Sequence, residues 1–287
     1  MLTIASLLVL AALIWGSFNL WVSSDGLIGK SSAAQEKSHE FKQMLVPVAD
    51  VSSSDLLLDI SENSTRHIQG SIAIPYDNFM RDGKFMSVPE ITQILGDAGI
   101  SRNDSIVIYG ECMPCGGGPA PATFVYFMMK VLGHERVRVL DGTIEDWAAA
   151  GRPIASQSMI RPSVNYTPMF TADPMASYDY VKSGKARIVD ARSSHEFNLS
   201  TIPGAINIPS DSVVFNGTIK KETALKEVFA NLSKDEPVVV FTSTGIKASV
   251  VWFSLKMLGY DAKLYSWQDW LANQANEGIS LETLEGP

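Results

Sequence analysis

The chain has 287 residues, a length typical of about two domains, and 46% of its residues are hydrophobic while 19% are charged. Its formal net charge of −8 disfavours a nucleic-acid partner, because proteins that bind nucleic acids present basic surfaces. Two cysteines are too few for a disulfide scaffold. The remaining roles for them are one short disulfide bridge, one redox pair, or a nucleophilic cysteine assisted by the other.

The N-terminal segment predicts a transmembrane anchor. Residues 2–22 carry no charged side chain, and a run of that length spans a bilayer as a helix. Residues 23–45 are mostly small and polar and predict a stalk. The alternative is a signal peptide cleaved near Ala33 and Ala34, after which the protein would be secreted. No Lys or Arg precedes this apolar segment, so the sequence does not predict its orientation in the membrane.

Asparagines in acceptor motifs for N-glycosylation bear on the compartment. Six of the 11 asparagines lie in Asn-x-Ser/Thr, where chance would give about two. These six are Asn63, Asn103, Asn165, Asn198, Asn216 and Asn231. The count predicts a glycoprotein whose main part is extracytoplasmic. The alternative is that Ser and Thr are simply abundant in these loops.

Short apolar strands alternate with helices between residues 46 and 155. The pattern predicts strands at 56–59, 72–75, 105–109 and 137–140, and helices at 88–98 and 123–132. A further helix holds Trp147. Such alternation is typical of a parallel sheet covered by helices on both faces.

The same pattern restarts after a linker at residues 156–168, which is rich in Pro and Ser. It predicts helices at 176–183 and 249–258 and strands at 186–190, 206–209, 237–241 and 262–265. Most of these segments have a counterpart in the first half. The sequence therefore predicts an internal duplication of one α/β unit of about 110 residues, with the second copy at 169–287.

A glycine-rich segment between the strand at 105–109 and the helix at 123–132 holds both cysteines, Cys112 and Cys115. A strand, a glycine-rich turn and a helix direct backbone N–H groups to one point, where a cysteine thiolate is stabilised. Gly116, Gly117 and Gly118 allow a substrate to approach the backbone closely. We therefore predict that Cys115 is a nucleophile assisted by Cys112. A purely structural disulfide between them is the alternative.

No cofactor or metal is predicted. The four histidines are scattered along the chain, and a zinc site would need two ligands besides the cysteines. Residues 116–122 contain no Arg or Lys to hold a dianion, which disfavours a phosphatase-like or arsenate-reductase-like cysteine loop.

The second copy resembles the rhodanese (thiosulfate sulfurtransferase) family. The resemblance rests on Val189-Asp-Ala-Arg192, Glu196-Phe197 and Ile202-Pro-Gly-Ala-Ile-Asn-Ile-Pro209, with a weaker counterpart at residues 58–75. It covers residues 46–287 and implies two rhodanese-like domains, each with a parallel five-stranded sheet flanked by helices. Arg192 and Glu196 match structural residues of the family.

The chain departs from the family at one position. In tandem rhodaneses the catalytic cysteine follows the central strand of the second copy, and Thr242 stands there in this chain. The degenerate loop comprises Thr242, Ser243, Thr244, Gly245, Ile246 and Lys247, of which Lys247 is expected to be solvated. Counted back from Gly133 and Gly259, Cys115 takes the cysteine position with one extra loop residue.

Three functions remain open from the sequence. The first is a sulfurtransferase that moves sulfane sulfur from thiosulfate or polysulfide to a thiol acceptor through a persulfide in the first domain. The second is an inactive rhodanese-like module that binds a partner protein, and the third is a thiol–disulfide redox protein.

Overall fold

The computed structural model describes residues 41, 43–62, 64–82, 84–112 and 117–284. All of them belong to one compact unit that spans residues 37–287. Within this part of the chain, no helix is both long enough and apolar enough to cross a membrane. The predicted anchor at residues 2–22 lies outside the described residues, as do Cys115 and Gly116.

The first half contains nine described strands: β1 Leu45–Pro47, β2 Leu56–Asp59, β3 His67–Ile68, β4 Ile72–Ala73, β5 Met80–Arg81, β6 Lys84–Phe85, β7 Ile106–Tyr109, β8 Val137–Asp141 and β9 Ile154–Ala155. Five of them form a parallel sheet in the order β1-β8-β7-β2-β4. The helices of this half are Val88–Asp97, Ala120–Val131 and Ile144–Ala149. Strand β7 is buried at every position, as expected of a strand covered on both faces.

The second half contains the described strands β10 Arg187–Asp190, β11 Ile206–Asn207, β12 Val214–Phe215, β13 Thr218–Ile219, β14 Val238–Thr242 and β15 Ala262–Ser266. Four of them form a parallel sheet in the order β11-β10-β14-β15. The helices of this half are Tyr178–Lys182, Ser194–Leu199, Glu222–Val228, Ile246–Met257 and Trp267–Leu284. Both halves thus have the predicted α/β architecture.

The predicted count of five strands is wrong for the second half. A single parallel bridge between Met175 and Leu264 occupies the fifth position. The chain turns from Ala172 to Met175 immediately before this bridge. Directly after it, Ser177 caps the helix Tyr178–Lys182. The turn and the cap leave no residues for a longer strand.

The helices predicted at 123–132 and 249–258 begin three residues earlier than the hydrophobic pattern predicts, at Ala120 and Ile246, and we call them the two central long helices. The earlier start places Pro121 in the first turn of its helix, where no intrahelical hydrogen bond is required of its nitrogen. Gly245 precedes the other helix with a φ of +90°, a conformation that favours glycine.

The two central long helices pack against each other and place both halves in one hydrophobic core. The rings of Tyr126 and Phe253 meet edge to face with centroids 4.8 Å apart. The rings of Phe127 and Trp252 meet in the same way at 5.1 Å. Each such pair contributes about 0.5–1.5 kcal/mol beyond the area it buries.

A buried polar contact joins the same two helices. The hydroxyl oxygens of Thr123 and Ser249 lie 2.8 Å apart and are buried. The Ser249 hydroxyl is also 3.1 Å from the carbonyl oxygen of Ala120. Each hydroxyl also has a partner in its own helix, since Thr123 Oγ1 lies 3.0 Å from the Ala120 carbonyl oxygen and Ser249 Oγ lies 2.6 Å from the Ile246 carbonyl oxygen. Both buried hydroxyls are therefore satisfied, as buried polar groups need to be.

The predicted linker at 156–168 forms no helix or strand, but it is bound to the first domain. The Val164 N–H donates to the carbonyl of Gly96 at 2.9 Å, and Tyr166 is buried. The next segment continues along the same domain, with the Met169 N–H 2.9 Å from the Leu132 carbonyl oxygen.

His134 is completely buried beneath this linker. Its Nε2 lies 2.9 Å from the Asp104 carbonyl oxygen, which can only accept, so Nε2 carries the proton. Its Nδ1 lies 3.2 Å from the Tyr166 hydroxyl, which can donate to it. Burial is the main cause that lowers the pKa of His134 below its ordinary value.

We predict that the free energy of unfolding falls as the pH drops below the ordinary histidine pKa of about 6.5. In that range the unfolded state binds a proton at His134 that the folded state excludes, which removes at most about 1.4 kcal/mol per pH unit. Denaturant titrations between pH 7 and pH 5 measure this slope. The variant His134→Gln should reduce it, whereas His195→Gln, at an exposed position, should not. An equal slope in His134→Gln contradicts the prediction.

Candidate functional site

The carboxyl ends of β2, β7 and β8 meet at one edge of the first sheet. The residues after these strands line a cavity of about 390 Å³ together with Gly217, Thr218 and Ile219 of the second half. We call this the cysteine-side cavity, because the chain that follows β7 along its wall leads into Cys112. The strand-end residues that line it include Ser61, Glu62, Gly110, Glu111, Gly142 and Thr143.

The cysteine loop begins with a glycine that tolerates no side chain. Gly110 has a φ of +124°, and a Cβ there would lie 2.6 Å from the Ser61 hydroxyl oxygen. The Glu111 N–H then points to that same hydroxyl oxygen at 3.3 Å. At the other end of the loop, the Gly117 N–H donates to the Cys112 carbonyl oxygen at 2.9 Å. Both ends of the loop are therefore held by hydrogen bonds, one to a side-chain hydroxyl and one within the backbone.

Cys112 is fully buried and disulfide-bonded, and the sequence contains one other cysteine, Cys115. The Tyr76 hydroxyl is hydrogen-bonded to the Glu62 carboxylate, and its oxygen lies 3.4 Å from Cys112 Sγ. An oxygen of Glu62 lies 3.8 Å from Sγ, and this is a contact without a hydrogen bond because a disulfide sulfur carries no proton. Burial, followed by the charge of Glu62, raises the pKa of Tyr76 to about 12.

Two of the three glycines predicted to cradle a substrate are described. Gly117 and Gly118 have φ values of +76° and +86°, which favour glycine. The N–H of Gly117 is bonded to Cys112, and the N–H of Gly118 donates to the Glu111 carboxylate. In this disulfide form both amides therefore have partners within the loop itself.

The cysteine-side cavity is acidic. Burial raises the pKa of the Glu111 carboxyl, and the nearby charges of Glu145 and Asp146 raise it further, against the lowering effect of the Gly118 N–H. Arg66 also lines the cavity, but its guanidinium is 2.9 Å from Glu145. The ion pair leaves little positive charge to attract an anion.

The degenerate loop of the second domain is shorter and has a different environment. Fourteen positions separate Tyr109 from Thr123, whereas eight separate the matching Phe241 and Ser249, so the first loop is six residues longer. Counting back from Gly133 and Gly259, where the helices end, gave only one extra loop residue before Cys115. That count did not include the distance from the end of the preceding strand, where the remaining extra residues lie. Thr242 is buried, and its hydroxyl accepts the Gly245 N–H at 3.0 Å.

A second cavity, of about 830 Å³, lies beside this degenerate loop. Thr244, Gly245 and Ser266 of the second domain contribute to its wall, while Ser243 and Lys247 do not line it. We call it the aromatic cavity, because five aromatic rings line it: Phe85, Phe124, Phe127, Tyr178 and Tyr265. It contains no thiol among its described lining residues, and Lys247 is exposed as expected.

The structural role predicted for Arg192 and Glu196 is visible in their contacts. Arg192 Nη2 donates to the buried carboxylate of Asp190 at 2.6 Å, and Arg192 Nε donates to it at 3.0 Å. Glu196 accepts from the hydroxyl of Ser193 at 2.7 Å in a capping box. In the first domain the equivalent Asp59 lies 2.8 Å from Nδ1 of His67 instead.

Sequence reasoning missed Glu62, Glu111 and Tyr76 as residues of the site. The signal for Glu111 was its position beside Cys112. Glu62 follows β2 and could have been placed through the rule that parallel strands end at a common edge. Among the described residues, no group of three or more His, Cys, Asp or Glu side chains is arranged to hold a metal ion.

Comparison with known proteins gives the family. Residues 36–150 and 173–273 each match the model of the rhodanese-like domain. A putative thiosulfate sulfurtransferase of Mycolicibacterium smegmatis is 27% identical over 241 residues, covering 74% of this chain and 85% of that protein. The sulfur carrier protein TtuD of Thermus thermophilus is 29% identical over 261 residues, covering 78% and 87%.

Solved structures share the fold. The 3-mercaptopyruvate sulfotransferase SseA of Escherichia coli superposes with a TM-score of 0.69 at 20% identity, over 78% of this chain and 99% of SseA. A persulfide form of EanB with ergothioneine gives 0.71 at 18% identity, over 82% and 70%. Sequence relatives of the chain are named as sulfurtransferases. The chain belongs to the rhodanese-like domain family, as a tandem member with one domain in each half.

Proposed function

We propose that the protein transfers sulfane sulfur from thiosulfate or polysulfide to a thiol acceptor, and that Cys115 carries the sulfur as a persulfide. The observation that supports this most is the position of the cysteine loop. Both thiols of the chain lie in a loop that adjoins a cavity at the carboxyl edge of a parallel sheet. Open α/β sheets bind their ligands at this edge.

In the first half-reaction the Cys115 thiolate attacks the sulfane sulfur of the donor. A bond forms between Cys115 Sγ and that sulfur, while the bond from the sulfane sulfur to the rest of the donor breaks. With thiosulfate, sulfite leaves with the electron pair of the broken bond. The products are a cysteine persulfide and sulfite, so atoms and charge balance.

In the second half-reaction an acceptor thiolate attacks the outer sulfur of the persulfide. The acceptor leaves as a persulfide, and the Cys115 thiolate is regenerated. Alternatively, the Cys112 thiolate attacks the inner sulfur, which releases hydrosulfide and leaves a disulfide. Two equivalents of a thiol reductant then return the enzyme to its reduced form.

The disulfide state of Cys112 corresponds to the resting, oxidised form in this scheme. Reduction breaks the disulfide bond of Cys112 and restores its thiol. We propose that the N–H groups of Gly117 and Gly118 then become available to the persulfide and the leaving anion. Preorganised amides of this kind stabilise developing negative charge.

The second domain has a different role in this proposal. A threonine hydroxyl cannot carry a persulfide, and the Thr242 hydroxyl is already bonded to Gly245. The aromatic cavity favours binding over sulfur chemistry on this side, and it also supports the alternative that the whole chain is a binding module for a partner. A thiol–disulfide redox protein is the third candidate, because Cys112 is disulfide-bonded.

We further propose that residues 2–22 anchor the protein in a membrane and that the main part is extracytoplasmic and glycosylated. Five of the six acceptor asparagines are described, and all five are exposed: Asn103, Asn165, Asn198, Asn216 and Asn231. Exposure is required for glycosylation. Secretion after cleavage of a signal peptide is the alternative.

We predict that Cys115→Ser abolishes sulfur transfer, lowering it by about a thousandfold or more, because the other cysteine of the loop, Cys112, is fully buried and out of reach of a sulfur donor. Cys112→Ser should keep persulfide formation and change only the release of sulfur. Thiocyanate formation from tetrasulfide or thiosulfate and cyanide, after reduction of the protein, measures both variants. Full activity in Cys115→Ser contradicts the proposal.

We predict that the full-length protein partitions into the membrane fraction. Each buried apolar side chain of residues 2–22 contributes roughly 1.5–3 kcal/mol, and no charge opposes insertion. Protease added to intact cells should degrade residues 46–287, because the proposal places them outside. Recovery of the full-length protein in the soluble fraction, protected from protease, contradicts both the anchor and the orientation.

A further inference from the structure

The first domain contributes an apolar wall to the aromatic cavity. Phe124 and Phe127 are almost completely buried in this wall, whereas Phe85 is 41% exposed. The Phe85 ring stacks on Phe124 with centroids 4.5 Å apart, which covers one of its faces. A ligand with an apolar body would cover more of this ring and gain the favourable free energy of removing it from water.

The second domain contributes a polar wall to the same cavity, and one hydroxyl group in this wall has no partner. Tyr265 is 6% exposed, and its hydroxyl oxygen is the one buried side-chain polar atom without a hydrogen bond in the described part of the chain. The other tyrosine hydroxyl of the wall, on Tyr178, accepts from Gln274 Nε2 at 2.7 Å. Buried hydroxyls in native proteins are nearly always hydrogen-bonded, so the Tyr265 hydroxyl indicates a partner that the described residues do not supply.

The Tyr265 hydroxyl lies close to other groups of this wall. Burial raises the pKa of Tyr265, and the neighbouring Asp269 carboxylate and the Tyr178 hydroxyl raise it further. Asp269 and Tyr178 both line the cavity. The Asp269 carboxylate is nevertheless not placed to form a hydrogen bond with the Tyr265 hydroxyl. The unpartnered hydroxyl is therefore located at the acidic part of the cavity wall.

The charged groups that line the aromatic cavity are acidic. Asp179 and Asp269 line it, and neither carboxylate belongs to an ion pair within the described part of the chain. No Lys, Arg or His is among its described lining residues. Lys182 Nζ lies 5.6 Å from the centroid of the Tyr178 ring, but Lys182 does not line the cavity. The cavity therefore attracts cations and repels anions.

An aromatic amine matches these features together. Its ring would cover Phe85, and its protonated amine would be attracted both to the carboxylates and to the faces of the aromatic rings. An N–H of the amine would also supply the partner that the Tyr265 hydroxyl lacks. The cavity volume of about 830 Å³ lies within the range of pockets that hold small organic molecules.

We propose that the aromatic cavity binds a small aromatic molecule that carries a protonated amine. The ring of this ligand packs against Phe85 and Phe127, and its ammonium group donates to the Asp269 carboxylate and to the Tyr265 hydroxyl oxygen. Binding involves no covalent step and does not depend on sulfur transfer at the cysteine loop. The inference therefore goes beyond the function proposed above, and either can fail without the other.

Three probes that share a phenylethyl group test the proposal: phenethylamine, which is cationic, 2-phenylethanol, which is neutral, and 3-phenylpropionate, which is anionic. Saturation-transfer NMR titrations with the full-length protein give the Kd of each probe. We expect phenethylamine to bind about tenfold more tightly than 2-phenylethanol, because the carboxylates and the ring faces attract its charge. The anionic probe should bind most weakly.

Two variants separate the contributions of the polar wall. Tyr265→Phe should weaken the binding of phenethylamine by about fivefold, because it removes one hydrogen bond to a charged group. The same variant should not lower the Tm of the unliganded protein, because the hydroxyl that it removes has no partner there. Asp269→Asn should reduce the preference for phenethylamine over 2-phenylethanol by about threefold, the effect expected of one exposed carboxylate.

Tyr260→Phe is the matched control. Tyr260 belongs to the same domain and is as buried as Tyr265, but it does not line the cavity, and its hydroxyl donates to the Phe229 carbonyl oxygen at 3.4 Å. This variant should lower the Tm and leave the Kd of phenethylamine unchanged. An unchanged Kd in both Tyr265→Phe and Asp269→Asn overturns the inference. Tightest binding of 3-phenylpropionate, or no binding of phenethylamine at millimolar concentration, overturns it as well.

Discussion

The contact between the helices Ala120–Val131 and Ile246–Met257 is the constraint on which both candidate sites depend. Their facing side chains are buried and largely apolar, so separating the helices would expose part of a core that both domains share. Within this interface the buried hydroxyl oxygens of Thr123 and Ser249 lie 2.8 Å apart. The ends of the two sheets are thereby held in one arrangement.

That arrangement lets each domain complete the cavity of the other. The β12–β13 hairpin of the second domain brings Gly217 and Thr218 to the cysteine-side cavity. In return, the β5–β6 hairpin of the first domain brings Phe85 to the aromatic cavity, where its ring stacks on Phe124 with centroids 4.5 Å apart. Each site is thus formed by both halves of the duplicated chain, although only the first adjoins the loop that holds the cysteines.

The two cavities have diverged in chemistry while the surrounding fold has been kept. The first domain has a longer loop, two cysteines and a carboxylate-rich wall, whereas the second has a short loop and a wall of aromatic rings. Buried carboxylates persist at equivalent strand ends, but Asp59 pairs with His67 and Asp190 pairs with Arg192. These pairs hold the strand ends in place on both sides.

The sequence predicted the elements that have a clear hydrophobic period. Strand β2 lies at the predicted residues 56–59, and the duplication and the parallel sheets are confirmed. The two-residue strands of the hairpins could not be predicted, because they are too short to show alternation. The prediction of a fifth strand in the second domain was wrong for a different reason. A turn and a helix cap limit the pairing at that position to one bridge at Met175.

The site could be predicted only where its residues are adjacent in sequence. The loop between Tyr109 and Thr123 was evident because both cysteines and three glycines lie together. Glu62 comes from another strand, and its approach to Cys112 depends on the order of strands in the sheet. The six-residue excess of the first loop appeared only when strand and helix positions were both known.

The location of added sulfur tests the central claim most directly. The reduced full-length protein is treated with tetrasulfide, its remaining thiols are alkylated, and the peptide that contains Cys112 and Cys115 is fragmented in a mass spectrometer. The account predicts one additional sulfur atom on Cys115. Sulfur found on Cys112 instead, or no added sulfur on either cysteine, would contradict it.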